Sequence, residues 1–163
     1  MERNSPRNEE VPADIFVLEK ESAAYDLERF RKIQTPELLK TVENELRQSS
    51  KINHWIWFVF PQTEGLGRSR ESHYYGIKSL DEAKAYLADP VLCGDLIYHA
   101  RLVLNHKDSK TLKEIFGSLD ALKFISSMTL FNAANPSETV FVEALNAFNG
   151  GNRDTATLRI TRS

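Results

Sequence analysis

The sequence contains little that would mark a secreted, membrane-spanning or metal-binding protein. Its 163 residues include one cysteine, Cys93, so no disulfide can form within the chain. The four histidines are scattered and lack the spacing of a zinc site. The longest apolar run, Trp55–Phe60, is far too short to span a membrane. We therefore expect a cytoplasmic or nuclear protein with no metal, no cofactor and no membrane contact.

Charge of one sign is also lacking. The chain has 21 basic and 23 acidic residues, for a formal net charge of -2, and no long run of like charge. Proteins that hold nucleic acid usually carry a strong basic field, so we expect no nucleic-acid partner. The length suits one domain that can bury a core without covalent staples, and we expect a monomer or a weak dimer.

The apolar residues recur at helical spacing along most of the chain. Residues 1–20 are polar and interrupted by proline, which predicts a disordered tail. From residue 21 to 163 the spacing predicts a single compact all-α domain of seven to eight helices, with no internal repeat. Helix starts are indicated by Thr35-Pro36, Ser79 with Glu82, Thr111 with Glu114, Asn135-Pro136 with Glu138, and Asp154.

The segment "HWIWFVF", residues 54–60, contains both tryptophans and is apolar on every side. In a helical chain it is best interpreted as a helix of about two turns, fully surrounded by the core, although a buried strand is the alternative. We expect Trp57, Phe58 and Phe60 to belong to the core. His54 and Trp55 stand at the start of the segment, where a polar ring or an indole N–H can reach a ligand.

The loop "PQTEGLGRSRES" follows this segment directly. Gly65 and Gly67 allow positive φ and close backbone approach, and Arg68, Ser69 and Ser72 offer a guanidinium and hydroxyls. These groups suit phosphate or carboxylate oxygens, but the loop is neither a dinucleotide fingerprint nor a Walker A loop. A flexible solvated loop is the plainer interpretation. Gln62 precedes the glycines and is a further candidate.

A second polar group lies in "SSMTLF", residues 126–131, where Ser126, Ser127 and Thr129 interrupt an apolar helix. Hydroxyls inside helices often bond the carbonyl of the preceding turn, which is the structural interpretation. Alternatively, the three hydroxyls face a pocket together with the aromatic segment. No Ser-His-acid triad is indicated, because a nucleophile-elbow motif is absent.

Six segments in order resemble the signature blocks of a domain-of-unknown-function family of bacteria and fungi. These are "YDLERF", "HWIWFVFPQ", "GLGRS", "SLDEAKAYL", "IFG" and "SSMTLF". Members are sometimes mislabelled calpastatin, although an inhibitor of that type is disordered and polar, whereas this chain has a core-forming pattern. The resemblance implies a helical fold and no established reaction.

The resemblance also covers individual polar residues. The matching positions are His54, Gln62, Ser69, Ser72, Ser126, Ser127, Thr129 and Asp154. Arg68 matches many members of the family, whereas Arg70 and His73 depart from its pattern. The chain is also faintly similar to helical N-glycosidases that act on ADP-ribose or riboside-phosphate compounds. That similarity implies a small anionic, nucleotide-like partner and a hydrolysis without metal.

Three hypotheses about function remain open. In the first, the protein is an N-glycosidase-type hydrolase with His54, Asp154 and Glu64 as candidate catalytic residues. In the second, it binds the same kind of ligand without chemistry. In the third, it is an interaction module whose aromatics are only core. The candidate ligand-binding residues are Trp55, Gln62, Gly65, Gly67, Arg68, Ser69, Ser72, Ser126, Ser127 and Thr129.

Overall fold

The computed structural model describes residues 25–162, and in this part of the chain it contains ten helices and no strand. The helices are α1 (Glu28–Ile33), α2 (Pro36–Arg47), α3 (Ile56–Val59), α4 (Arg70–Tyr74), α5 (Leu80–Ala88), α6 (Pro90–Leu104), α7 (Leu112–Phe116), α8 (Ser118–Ala134), α9 (Thr139–Asn149) and α10 (Thr155–Arg162). The expected all-α class is confirmed, with more short helices than the sequence predicted. The predicted tail, residues 1–20, lies outside the described residues.

Local side-chain hydrogen bonds begin several helices where the sequence predicts. The Thr35 hydroxyl accepts the Leu38 N–H ahead of α2, and the Thr111–Glu114 pair forms a complete capping box at α7. The Asp154 carboxylate accepts the Thr157 N–H at the start of α10. These ends need only residues three positions apart, which is why the sequence alone identifies them.

Two predicted helix starts are wrong in detail. The Ser79 hydroxyl caps α5, but the Glu82 carboxylate accepts the Lys78 N–H and pairs with Arg29 at 2.8 Å, so the capping box is incomplete. The next difference lies at α9, which begins at Thr139 and not at Pro136. The Asn135 side chain accepts the Ser137 N–H in a local turn that competes with a helix start.

The central helix of the fold is α8, which packs against α3, α5, α7, α9 and α10. Every residue from Phe124 to Asn132 on it is buried, because neighbours cover all of its sides. Phe60, just after α3, meets Phe124 edge to face with ring centroids 4.9 Å apart, and Phe116 at 6.2 Å. These aromatic contacts hold the segment that leads into the candidate site.

None of the helices within residues 25–162 combines the length and the apolar character that crossing a bilayer requires.

Candidate functional site

Trp55 occupies the buried position that the sequence predicts for Trp57, and Trp57 lies nearer the surface, where the sequence predicts Trp55. Trp55 is 0% exposed, whereas Trp57 is partly buried and packs against the edge of the core. The Trp55 indole N–H donates to Glu45 Oε1 at 2.9 Å, and the Lys51 ammonium lies 5.0 Å from the centre of the Trp55 ring. With one edge bonded and its surface covered, Trp55 has no ring surface accessible to a ligand in this conformation. The expectation that Trp57 is the interior residue of the two is therefore wrong.

Hydrogen bonds to Glu45 account for the buried position of Trp55. Its buried carboxylate accepts the backbone N–H groups of Ile52 and Asn53, the Asn53 side-chain amide and the Trp55 indole. Burial by itself would raise the pKa of Glu45, but these hydrogen bonds outweigh it and hold the pKa below its usual range. Between Asn53 and Trp55, the His54 side chain is exposed. Glu45 thus positions the chain on both sides of the predicted catalytic histidine.

The glycine loop has an internal structural reason for part of its sequence. A Cβ added at Gly67 would lie 2.3 Å from Ser72 Oγ and 3.8 Å from Gln62 Nε2, so Gly67 is required for close packing. The Ser69 hydroxyl caps α4 by accepting the Ser72 N–H and lies 2.9 Å from Ser72 Oγ. Gln62, Gly67, Ser69 and Ser72 are therefore brought together, as neighbours of one another.

Of the other loop residues, Gly65 lies near α10 and Arg68 is exposed to solvent. Gly65 has φ +100°, and a Cβ there would lie 3.8 Å from Ile160 on α10. Arg68 is exposed and has no hydrogen-bond or ion-pair partner among the described residues. Glu64, at the start of the loop, lies 3.7 Å from both His73 Nδ1 and Lys78 Nζ.

The polar face of α8 binds the segment that begins α10. The Ser126 hydroxyl donates to Asp154 Oδ2 at 3.3 Å, and the Thr129 hydroxyl accepts the Asp154 N–H at 3.0 Å. The Thr157 hydroxyl also donates to Asp154 Oδ2. Ser126, Thr129 and Asp154 therefore converge, and their hydrogen bonds connect two helices. No hydrogen bond or ion pair among the described residues joins Asp154 to His54 or Glu64.

Ser127 differs from its neighbour. Ser126 bonds the Leu122 carbonyl one turn earlier, as a helical serine commonly does. Ser127 is 0% exposed, and its hydroxyl has no hydrogen-bond partner among the described residues. The Trp57 indole N–H and the Thr63 hydroxyl are likewise buried and unpaired.

A groove of about 540 Å³ lies beside α4, immediately after the glycine loop. We call it the tyrosine–arginine groove; it is lined by Tyr25, Asp26, Arg29, Arg70, His73, Tyr74 and Lys78. Sequence reasoning missed most of these residues and doubted Arg70 and His73. Their signal in the sequence is the spacing 70, 73 and 74, which places an arginine, a histidine and a tyrosine on one face of a helix.

Arg29 holds the two sides of the groove together. Its guanidinium donates to the carbonyls of Tyr25 and Asp26 on one side, and to those of Tyr74 and Gly76 on the other, at 2.7–3.0 Å. Its charge is balanced by Glu82 at 2.8 Å. Asp26 has φ +53°, an unusual value for a non-glycine residue. Arg29 is therefore a positioning residue whose donors and charge are used within the protein.

The accessible groups of the groove are cationic and aromatic. Arg70 is exposed without a partner among the described residues, and the Tyr74 side chain is 55% exposed. His73 and Lys78 are exposed and share the single carboxylate of Glu64. The described residues contain no group of three or more histidine, cysteine, aspartate or glutamate side chains placed to hold a metal ion. The exposed groups of the groove therefore offer cationic hydrogen-bond donors and an aromatic ring surface.

Comparison with known proteins places the chain among uncharacterised relatives. Residues 24–161 match the model of a family described as "Protein of unknown function (DUF1810)". The chain is also similar to the crystal structure of the conserved hypothetical protein Rv1873 from Mycobacterium tuberculosis, with 42% identity and a TM-score of 0.82. That similarity covers 86% of this chain and 99% of the other. No curated protein matches the chain.

Proposed function

Because the chain belongs to the DUF1810 family, whose description assigns no activity, we propose a function from the site itself: binding of a small anionic, nucleotide-like ligand in the tyrosine–arginine groove. The observation that carries the proposal is the face of α4, where Arg70, His73 and Tyr74 line one groove together with Tyr25 and Lys78. The predicted anion-binding loop leads directly into this face through Ser69.

The groove offers a separate contact for each part of such a ligand. The unpaired Arg70 guanidinium and the Lys78 ammonium suit phosphate oxygens, because charge-assisted hydrogen bonds are the strong ones. Tyr25 and Tyr74 supply ring surface for a planar base. The Asp26 carboxylate can accept sugar hydroxyls, since an ionised carboxylate is an acceptor only. The nearby acids Asp26 and Glu64 offset part of the positive charge, which favours a ligand with one or two phosphates.

Two alternatives to this proposal are a hydrolase and an interaction module. We favour ligand binding without hydrolysis over the hydrolase. A hydrolase of the N-glycosidase type needs a carboxylate or histidine placed to activate water. Asp154, the carboxylate expected for that role, is hydrogen-bonded by Ser126 and by Thr157 at 2.5 Å in a helix-capping arrangement. The second alternative, an interaction module, assigns no ligand to the unpaired Arg70 guanidinium.

Calorimetric titration of the full chain with ADP-ribose, AMP and ribose 5-phosphate tests the proposal. A ligand at 100 times its dissociation constant adds about 2.7 kcal/mol to stability, so thermal shift gives a first screen. We expect Arg70→Ala to weaken the best ligand by about tenfold or more, because a charged hydrogen bond is lost. Arg68→Ala, two residues earlier and also exposed, is the matched control and should change affinity much less.

The outcomes separate the hypotheses. Weakening by Arg68→Ala but not by Arg70→Ala would place the ligand at the glycine loop and reject the groove. Saturable binding with no base released, measured by chromatography, supports a binding protein. Release of free base that stops in Asp154→Asn would instead support the hydrolase.

A further inference from the structure

Glu64 lies beside the tyrosine–arginine groove, next to two of the basic side chains that line it. A single carboxylate atom, Glu64 Oε1, is 3.7 Å from His73 Nδ1 and 3.7 Å from Lys78 Nζ. Both neighbours are exposed and line the groove. The sequence suggests Glu64 as a catalytic acid, whereas in the structure it lies beside groups that would bind the anionic part of a ligand.

The backbone holds Glu64 in this place. The Glu64 N–H donates to the Ile77 carbonyl at 2.8 Å, and the Ile77 N–H donates to the Gln62 carbonyl at 2.9 Å, so the two segments form a short parallel bridge. Gly76 allows their close approach, because a Cβ there would lie 2.7 Å from Glu64 Cβ and 2.8 Å from Glu64 Cα. The backbone of Glu64 therefore cannot move away from the segment that carries Lys78 without losing these contacts.

The Glu64 carboxylate offsets positive charge without using the hydrogen-bond donors of its neighbours. At 3.7 Å both separations are longer than a hydrogen bond, which spans about 2.7–3.2 Å between nitrogen and oxygen. Among the described residues, no other hydrogen bond or ion pair engages the side chains of His73 and Lys78. A ligand oxygen can therefore bind these donors while the negative charge of Glu64 stays close to the ligand.

The charges around the groove determine how many negative charges it can hold. Arg70 and Lys78 are its accessible cations, since the guanidinium of Arg29 is engaged within the protein. Two acids oppose them, Asp26 in the lining and Glu64 beside it. A ligand with one or two negative charges can pair with the two cations, whereas each further charge adds mainly repulsion by the acids.

We propose that Glu64 determines the selectivity of the tyrosine–arginine groove, favouring phosphomonoesters of low charge over nucleoside diphosphates and triphosphates. This selectivity rests on the function proposed above, and it specifies which anions bind. A single phosphate group can accept charge-assisted hydrogen bonds from Arg70 and Lys78. A longer phosphate chain would bring additional negative charge near Glu64, whose backbone is fixed by Ile77 and Gly76. Glu64 is thus a specificity-determining residue of the groove.

Calorimetric titration of the full chain with AMP, ADP and ATP in magnesium-free buffer tests this role. The three nucleotides share one base and one ribose, so only the phosphate chain and its charge change along the series. We expect the wild type to bind AMP at least as tightly as ATP. In Glu64→Gln the ratio of the AMP to the ATP dissociation constant should rise by about four- to ninefold, because ATP carries about two more charges and the repulsion of each is worth about two- to threefold.

Two further variants separate the position of the charge from the net charge. Glu71→Gln is the matched control, since Glu71 is an exposed acid on α4 that does not line the groove and its replacement changes the net charge equally. It should keep the wild-type ratio of AMP to ATP affinity. Glu64→Asp retains the negative charge and should also keep the wild-type ratio.

The possible results distinguish this role from the proposed function itself. If AMP binds but the ratio is unchanged in Glu64→Gln, the selectivity role of Glu64 is rejected and anion binding stands. An equal change in Glu64→Gln and Glu71→Gln would also overturn the role, because it would indicate general surface charge. If neither the wild type nor Glu64→Gln binds any of the three nucleotides or inorganic phosphate, the proposed function and the selectivity role are rejected together.

Discussion

Glu45 Oε1 accepts the indole N–H of Trp55 across 2.9 Å, within a carboxylate that receives four hydrogen bonds from residues 52–55. The side chain comes from the last turns of α2, and its partners form the segment that enters α3. This one buried acid therefore determines which tryptophan is interior and holds the backbone on both sides of His54.

Replacing this acid should destabilise the fold. We expect Glu45→Gln to lower the free energy of unfolding by about 1–3 kcal/mol, because a neutral amide cannot satisfy the same buried donors. Urea denaturation followed by circular dichroism measures the change. Glu143→Gln is a suitable control, since Glu143 is half-exposed and lies 3.8 Å from Arg101 in a surface pair. A loss in Glu45→Gln no larger than in the control would contradict this role.

The stabilisation by Glu45 should also depend on pH. Its pKa is lower in the folded protein than in the unfolded chain, so the folded state favours the ionised form. The contribution is therefore complete above the unfolded pKa and disappears as the pH falls through the folded pKa. We expect the stability difference between wild type and Glu45→Gln to shrink on acidification, measured by urea titrations from neutral to acidic pH. A difference that grows on acidification would show that the sign is wrong.

The two tryptophans should respond differently to truncation. Trp55→Ala removes a fully buried ring and leaves Glu45 without its indole donor, so we expect a loss of about 3–5 kcal/mol. Trp57→Ala should cost less, because Trp57 is partly exposed at the edge of the core. Thermal and urea unfolding of the two variants makes the comparison. A larger loss of stability in Trp57→Ala than in Trp55→Ala would instead support Trp57 as the interior tryptophan, as the sequence predicts.

Gly67 should not tolerate a methyl group. A Cβ there meets Ser72 Oγ at 2.3 Å and Ser72 Cβ at 2.8 Å, so we expect Gly67→Ala to cost about 1–3 kcal/mol by overpacking. Gly94 in α6 is the matched control, since a Cβ there would have no atom within 4 Å. Gly94→Ala should stabilise by about 0.5–1 kcal/mol, because alanine has the higher helix propensity. Equal effects of the two changes in urea denaturation would contradict this packing.

Much of the fold follows from sequence, and the exceptions share a cause. The caps by Thr35, Thr111 and Asp154 were predictable because the donor and acceptor are three residues apart. Glu82 was assigned to a local capping box but pairs with Arg29, which is 53 positions away. Where a distant residue competes for a side chain, local spacing no longer predicts its partner.

The candidate site was only partly predictable for the same reason. The closeness of Gln62 and Ser69 to the glycine loop was indicated by the sequence, whereas the hydrogen bonds of Ser126 and Thr129 to Asp154 were not. The groove was not, because Tyr25 and Tyr74 are brought to one place by hydrogen bonds from Arg29 that span 4 and 45 positions. The spacing within α4 indicates that Arg70, His73 and Tyr74 share a face, but not what lies opposite.

The sequence by itself determined the all-α class, several helix starts and the aromatic segment as part of the core, since helical periodicity and capping act over three or four residues. Only the tertiary structure decided that Trp55 and not Trp57 is interior, that Gly67 packs on Ser72, and that Glu64 lies beside both His73 and Lys78. Those outcomes depend on which helix surfaces pack against each other. The hydrogen bonds and steric contacts that result come from residues distant in the sequence, and the spacing of residues within one helix does not specify them.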